Sequence, residues 1–212
     1  MSQAAAQQGT EAWLIERLGS VTGSRFNDIV AVGRSGKPLE ARETAITEIT
    51  LELLTGQPGA MWSSKATRWG KEHEPLARAA YEVATGEMCQ EVGFITHPRH
   101  RQVGASPDSL IGAKGGWEAK CPLTPTVHLK TLLAGMPPEH MAQVQGGMWV
   151  CEREWWDFVS YHPAFPPPMQ LYVQRITRDD AYIANMENKV LDAVAEININ
   201  VRELLAKYGV SQ

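Results

Sequence analysis

Apolar residues recur along the chain in two periods. Between residues 39 and 54, Ala45, Ile49, Leu53 and Leu54 fall on one side of a 3.6-residue repeat, which predicts an amphipathic helix. Residues 64–85 predict a second with clear ends, since Ser64 is a capping residue and Gly86 a stop. Pro75 lies inside it and removes an amide donor, so a bend or restart is expected next to Glu74. Further helices are predicted at 13–18 (stopped by Gly19), 124–133, 139–150 and 178–208, the last one long helix or a helix pair with Ile183, Met186, Val190 and Val194 at helical spacing. A short one follows Thr22 or Ser24, either of which would cap it, with Phe26, Ile29, Val30 and Val32 as its apolar stripe. Extended patterns fill 87–96, 155–161 and 171–176. Interleaved helices and strands predict an α/β fold, a central mixed β-sheet flanked by helices, as one domain over residues 1–212. The first ten residues, small and polar, are expected to be disordered.

One stretch carries more than packing. Residues 104–122 read GASPDSLIGAKGGWEAKCP: an acid, a Gly-rich turn over 112–116, then Glu118 and Lys120 one residue apart. On a strand Glu118 and Lys120 project to one face, and Trp117, Ala119 and Cys121 to the other. The antiparallel return sets Asp108 near Glu118, so two carboxylates and an ammonium share a patch. Repelling acids suit a hard divalent cation that takes oxygen ligands. With Lys120 to orient water or offset charge on a phosphate, the pattern reads as metal-assisted phosphodiester hydrolysis. The same letters also fit the wet face of an ordinary hairpin. The small neighbours Ser106 and Pro107 and the apolar back face favour the site.

Three other places could serve such a site. Arg17 with Thr22 and Ser24, beside the free amides of a helix start, would form a pocket for a terminal phosphate, or else are a cap and a surface arginine. Glu74 would be aimed into a cleft by Pro75, or else belongs to a solvated face with Glu72. Gln143 and Gly147 share a helix face, while Met141, Val144, Met148 and Val150 serve the core; Gln143 would hydrogen-bond a metal-bound water or the DNA backbone, or else it and Gln145 are ordinary helix formers.

Composition narrows the setting. The 212 residues are 43% hydrophobic and 21% charged, ordinary for a globular protein with one core. No apolar run reaches the ~20 residues that span a bilayer, and the N-terminus lacks secretory features, so no membrane partner and a cytoplasmic location are expected. Three scattered cysteines, Cys89, Cys121 and Cys151, read as reduced buried thiols. His97 and His100 lie in a turn without a matched carboxylate and are not read as a zinc site. The net charge of -4 opposes DNA binding unless Arg17, Arg25, Lys65, Arg68, Lys71 and Lys120 gather along one groove. The Pro-rich HPAFPPP loop reads as a spacer or an oligomer contact.

The stretches RLGSVTGS, WGKEHEPLAR, GASPDSL, WEAKCP and HMAQVQGGMWV, in this order, resemble the lambda exonuclease and YqaJ-type viral recombinase family of the PD-(D/E)xK nuclease superfamily. The likeness runs from about Trp13 to the end. It implies a Mg2+-dependent deoxyribonuclease, with Mn2+ a possible substitute, that loads on ends of double-stranded DNA and degrades the 5′-ended strand. Asp108, Glu118 and the Ala119 carbonyl would bind one ion and Glu74 a second. Lys120 and Gln143, rather than Gln145, would position the attacking water. Arg17 and Ser24 match the residues that hold the 5′-phosphate in that family; Thr22, from the helix start, and Lys65, from the charge argument, are expected to join them in contacting the DNA end. A strand-separating wedge is expected near Thr67, which is weak for the task, or at Met61 or Trp62. The likeness further implies a homotrimeric ring, a single-strand annealing partner, and phage or prophage origin in a bacterial host. A related endonuclease, or an inactive DNA-end-binding module, are the competing readings.

Overall fold

Strand pairing places the acidic hairpin at the centre. The computed structural model describes residues 6–59 and 64–210. Its strands are β1 (Val21–Thr22), β2 (Cys89–Gln90), β3 (Ile95–Thr96), β4 (Val103–Ala105), β5 (Ser109–Ile111), β6 (Gly115–Lys120), β7 (Trp155–Tyr161) and β8 (Leu171–Thr177). The helices are α1 (Glu11–Arg17), α2 (Phe26–Val30), α3 (Glu40–Thr55), α4 (Lys65–Thr85), α5 (Pro125–Ala134), α6 (Met141–Cys151) and α7 (Asp180–Tyr208). The α/β class with mixed sheets flanked by helices is as expected, but the strands divide into two sheets. One has the order β1-β4-β3 and the other β2-β5-β6-β7-β8. The parallel pairs are β1 with β4 and β6 with β7. The sheets part where β4 ends at Ala105 and β5 starts at Ser109. Pro107 has no amide to continue a ladder, and Asp108 stands in the break.

Alternation along the larger sheet separates two cores. Trp117 and Val159 pack with Ala77 and Tyr81 of α4, while Leu110 and Trp156 pack with Val144 and Met148 of α6. A Cβ at Gly116 would lie 2.2 Å from the Trp156 ring, and one at Gly147 would lie 2.7 Å from it. Those two glycines make room for an indole between sheet and helix, which brings α6 close to the even-numbered face of β6. A third cluster joins α2, α3, α6 and α7. Asp157 of β7 ties α4 to the sheet: it accepts from Tyr81 Oη at 2.6 Å and from Arg175 Nε and Nη2 at 2.8 Å each.

Helix α4 has the expected ends, with Ser64 Oγ accepting from Thr67 N at 3.0 Å and Gly86 left-handed at φ 74°. It does not restart at Pro75; the helix runs through, with the ring on its exposed side where water can satisfy the carbonyl left without a donor. Residues 87–96 are not one strand. They supply β2 to one sheet and β3 to the other, and Met88 is exposed. On α3, Ile46 is buried, whereas Leu54, expected on the inner side, is exposed in the last turn before the Gly56 cap. Val32 lies beyond the five-residue α2 and is exposed. Neither Thr22 nor Ser24 caps α2 through its side chain. Of the first ten residues, 1–5 lie outside the description; Gln8 is held, its Nε2 donating to Val92 O at 3.0 Å and Pro107 O at 2.7 Å. Among the described residues no helix is long and apolar enough to cross a membrane.

Candidate active site

The hairpin brings its charged residues together. Asp108 Oδ2 accepts the Ala119 amide at 2.9 Å, a bond that seats the loop acid against strand β6. Glu118, buried on the α6 side of the sheet, accepts through Oε1 from Lys120 Nζ at 2.6 Å and from Gln143 Nε2 at 2.6 Å. Lys120 Nζ also donates to Gln143 Oε1 at 3.2 Å, closing a three-residue ring of hydrogen bonds. Gln143 reaches the hairpin from the first turn of α6, and Gln145 does not. Gln145 is buried on another face, where its amide donates to Thr177 O at 2.9 Å and accepts from Asp179 N at 3.0 Å.

Electrostatics show what the cluster lacks. Burial, followed by the charges of Glu118 and Glu74, pushes the Asp108 carboxyl well above its ordinary value. Burial also raises Glu74, against the pull of Arg78, whose Nη2 lies 3.5 Å away. Burial works to lower the Lys120 ammonium, but Glu118 and Asp108 outweigh it and its pKa rises. The site therefore holds more negative charge than one lysine relieves. Among the described residues no three His, Cys, Asp or Glu side chains form a ready metal cluster. The donor set is instead two carboxylates and a carbonyl: Asp108 Oδ1 and Glu118 Oε2 have no protein partner among the described residues, and the Ala119 C=O points to the same side as its N–H, toward Asp108. Hard oxygen donors with surplus negative charge fit a divalent magnesium-type ion.

A second group of residues faces the first across one cavity. Arg17, at the end of α1, lies with its guanidinium 4.0 Å from the Trp13 ring, and its Nη2 donates to Thr22 Oγ1 at 3.3 Å. Thr22 and Ser24 share a hydrogen bond at 3.2 Å. Arg17 Nε is buried without a partner, and burial lowers the pKa of the guanidinium, with Glu52 acting the other way. Trp13 Nε1 donates to Ser106 Oγ at 3.0 Å, joining α1 to the segment before Asp108. A cavity of about 180 Å³ is lined by Arg17, Thr22 and Ser24 together with Glu118 and Gln143.

Other expected residues stand apart. Lys65 is exposed in the first turn of α4 and does not line this cavity. Thr67 shares a hydrogen bond with Ser64 at 2.9 Å, and Met61 and Trp62 lie outside the described residues. Of the basic residues expected around a groove, Arg25 pairs with Glu48 and Lys71 lies against Gly9. The cysteines are free, as expected, but only partly buried, and desolvation still raises Cys121 and Cys151 to about 12. Gln8 and Trp13 also line the cavity and were not foreseen; a polar N-terminus and one Trp in an amphipathic helix give no local sign of it.

The split mixed sheet, with Asp108, Glu118 and Lys120 on one hairpin and Gln143 opposite, defines a nuclease fold of the PD-(D/E)xK type. The chain belongs to the YqaJ-like viral recombinase family, whose domain matches residues 12–154. Its structure is similar to that of LHK-Exo, an alkaline exonuclease from Laribacter hongkongensis, at 40% identity over 94% of this chain and 98% of that one, with a TM-score of 0.86. The same enzyme solved in complex with dAMP matches with a TM-score of 0.87. A phage-related exonuclease from Haemophilus somnus 129PT shares the fold, with a TM-score of 0.66 at 18% identity over 87% of this chain and 96% of that one. No curated protein matches the chain.

Proposed function

We propose that the protein is a magnesium-dependent exonuclease that enters at the end of a linear DNA duplex and digests the 5′-ended strand. The observation that carries this reading is the shared cavity: Arg17, Thr22 and Ser24 line the same space as Glu118 and Gln143. A phosphate held by the first group leaves the next phosphodiester near the second. Likeness to LHK-Exo, solved with the mononucleotide dAMP, supports the same unit of product.

The chain's own groups divide the work. Arg17 brings its guanidinium charge to the cavity, and the Thr22 and Ser24 hydroxyls complete a terminal-phosphate grip. Lys120 has three donors, of which Glu118 and Gln143 take two, so the third is open to a water or a phosphate oxygen. Gln143 holds both the lysine and Glu118, which sets the direction of that donor. Charge developing on the phosphate is offset by the Lys120 ammonium in a partly dry setting. A magnesium ion, or manganese in its place, held by Asp108, Glu118 and the Ala119 carbonyl with Glu74 serving a second ion, would supply Lewis acidity and an activated water. A homotrimeric ring, a single-strand annealing partner and action in the cytoplasm of a phage-carrying bacterial host complete the proposal.

The test is a linear duplex bearing a 5′-phosphate at one end, incubated with magnesium beside the same duplex closed into a circle. Shortening of the phosphorylated strand from its 5′ end, with the circle intact, is expected. Equal cutting of the circle would replace this reading by an endonuclease.

A further inference from the structure

The N-terminal segment ahead of α1 is tied across the site by more bonds than a solvated lead-in needs. Ala6 N donates to Glu16 Oε1 at 3.3 Å, and Thr10 Oγ1 donates to Gln7 O at 2.7 Å while capping Trp13 N at 3.3 Å. Gly9 turns the chain at φ 82°, and a Cβ there would lie 3.1 Å from Lys71 Nζ of α4. Between these points Gln8 spends both amide hydrogens on backbone carbonyls from separate segments, Val92 O and Pro107 O. Pro107 directly precedes Asp108. Gln8 also lines the cavity beside Trp13 and Arg17. The segment therefore bridges from the helix that carries Glu74 to the loop that carries Asp108, and completes the cavity's perimeter next to the phosphate grip.

Resting on the exonuclease reading above, we propose that Gln8 is a specificity-determining residue that sets the length of the released product. An internal phosphodiester reaches the acids only if the strand passes onward beyond the phosphate grip. Gln8 lines the cavity of about 180 Å³ beside Arg17, and on this reading a strand that continued 5′ of the held phosphate would meet it as a wall. A chain end fits because nothing follows its phosphate. The side chain is suited to the role: with both N–H groups used, its orientation is set by backbone rather than by other mobile side chains. The acids and Lys120 do not touch it, so chemistry and product length are separable.

The experiment is digestion of a 5′-labelled linear duplex with magnesium by the wild-type protein and by Gln8→Ala, with labelled products sized on a denaturing gel. The wild-type protein is expected to release labelled mononucleotide. For Gln8→Ala the ratio of labelled oligonucleotides to mononucleotide should rise about tenfold, the change that ~1.4 kcal/mol of lost wall contact produces. Mononucleotide alone from the variant overturns the proposal, as does a folded variant with no activity, since Gln8 would then serve the chemistry. Gln8→Asn keeps the amide but is one methylene too short to span both carbonyls; it gives the same readout if the alanine protein fails to fold. If the wild-type protein leaves the linear duplex intact, the exonuclease reading itself falls, whatever Gln8 does.

Discussion

The two walls of the cavity are built in opposite ways. On the acid wall Glu118 and Gln143 line the cavity and bond each other and Lys120 behind them, while Asp108 leans on the Ala119 amide, so the polar atoms largely satisfy themselves while charge is left unbalanced. On the phosphate wall, Arg17 sits on an indole with a buried Nε that has no partner. The first wall lacks positive charge, and the second lacks an acceptor. A cation on one side and an anion on the other answer these needs, and a phosphodiester with its metal brings both.

Removing one member of each wall should break the comparison at different points. Glu118→Ala takes away the anchor of both Lys120 and Gln143, and the digestion rate should fall about 10³-fold on any end, phosphorylated or not. Arg17→Ala should reduce the rate about 10- to 100-fold on 5′-phosphorylated ends only, the worth of one charge-assisted hydrogen bond. If it slowed both kinds of end equally, the phosphate wall would be misassigned. Gln143→Ala and Gln145→Ala, two residues apart, should separate chemistry from support. The first should lower activity roughly tenfold with an unchanged denaturation midpoint. The second should cost about 2 kcal/mol of stability, because the Thr177 carbonyl and Asp179 amide lose their partner, and leave activity near normal.

The smallest effect concerns charge alone. Asp108 has a native pKa raised above its ordinary 3.8, so the native state favours its protonated form. That contribution to stability is present at low pH and is lost as pH rises through the elevated native value. With chelator present, Asp108→Asn should therefore melt a few degrees higher than the wild-type protein, roughly what ~1 kcal/mol produces, with a gap that widens as pH rises. Added magnesium should raise the wild-type melting temperature and close the gap. A gap that narrows with rising pH would mean that the acids do not repel one another as described.

What was legible in the chain follows the reach of each signal. The hairpin could be read because period two puts Glu118 and Lys120 on one face within a few residues, and the ends of α4 because Ser64 and Gly86 act locally. The choice of Gln143 over Gln145 rested on family likeness; both sit on one helix, and only the packing of α6 on the sheet separates them. The split into two sheets was hidden because β2 and β3 are two residues each and are defined by distant partners. The i, i+4 spacing of Trp13 and Arg17 on a predicted helix does allow their contact, but nothing local says that the pair will face the acids, and Gln8 gives no sign that it will find Val92 and Pro107. The inward place of Ile46 and the outward place of Leu54 turn on how α3 seats, which helical spacing leaves open.

The parallel pairing of β1 with β4 has a consequence for the order of folding. Asp108 and Glu118 meet by closing a hairpin of about ten residues, which is fast and local. Thr22 reaches Gly104 only when two residues of β1 dock on a strand some 80 positions later, a loop whose closure entropy must be met before the short ladder returns anything. The hairpin acids are thus expected to assemble early, and the grip, local in its own bonds, to be docked beside them late. If refolding follows loop length, end recognition should be recovered after the secondary structure of the larger sheet, which a stopped-flow comparison of circular dichroism with binding of a 5′-phosphorylated end would show.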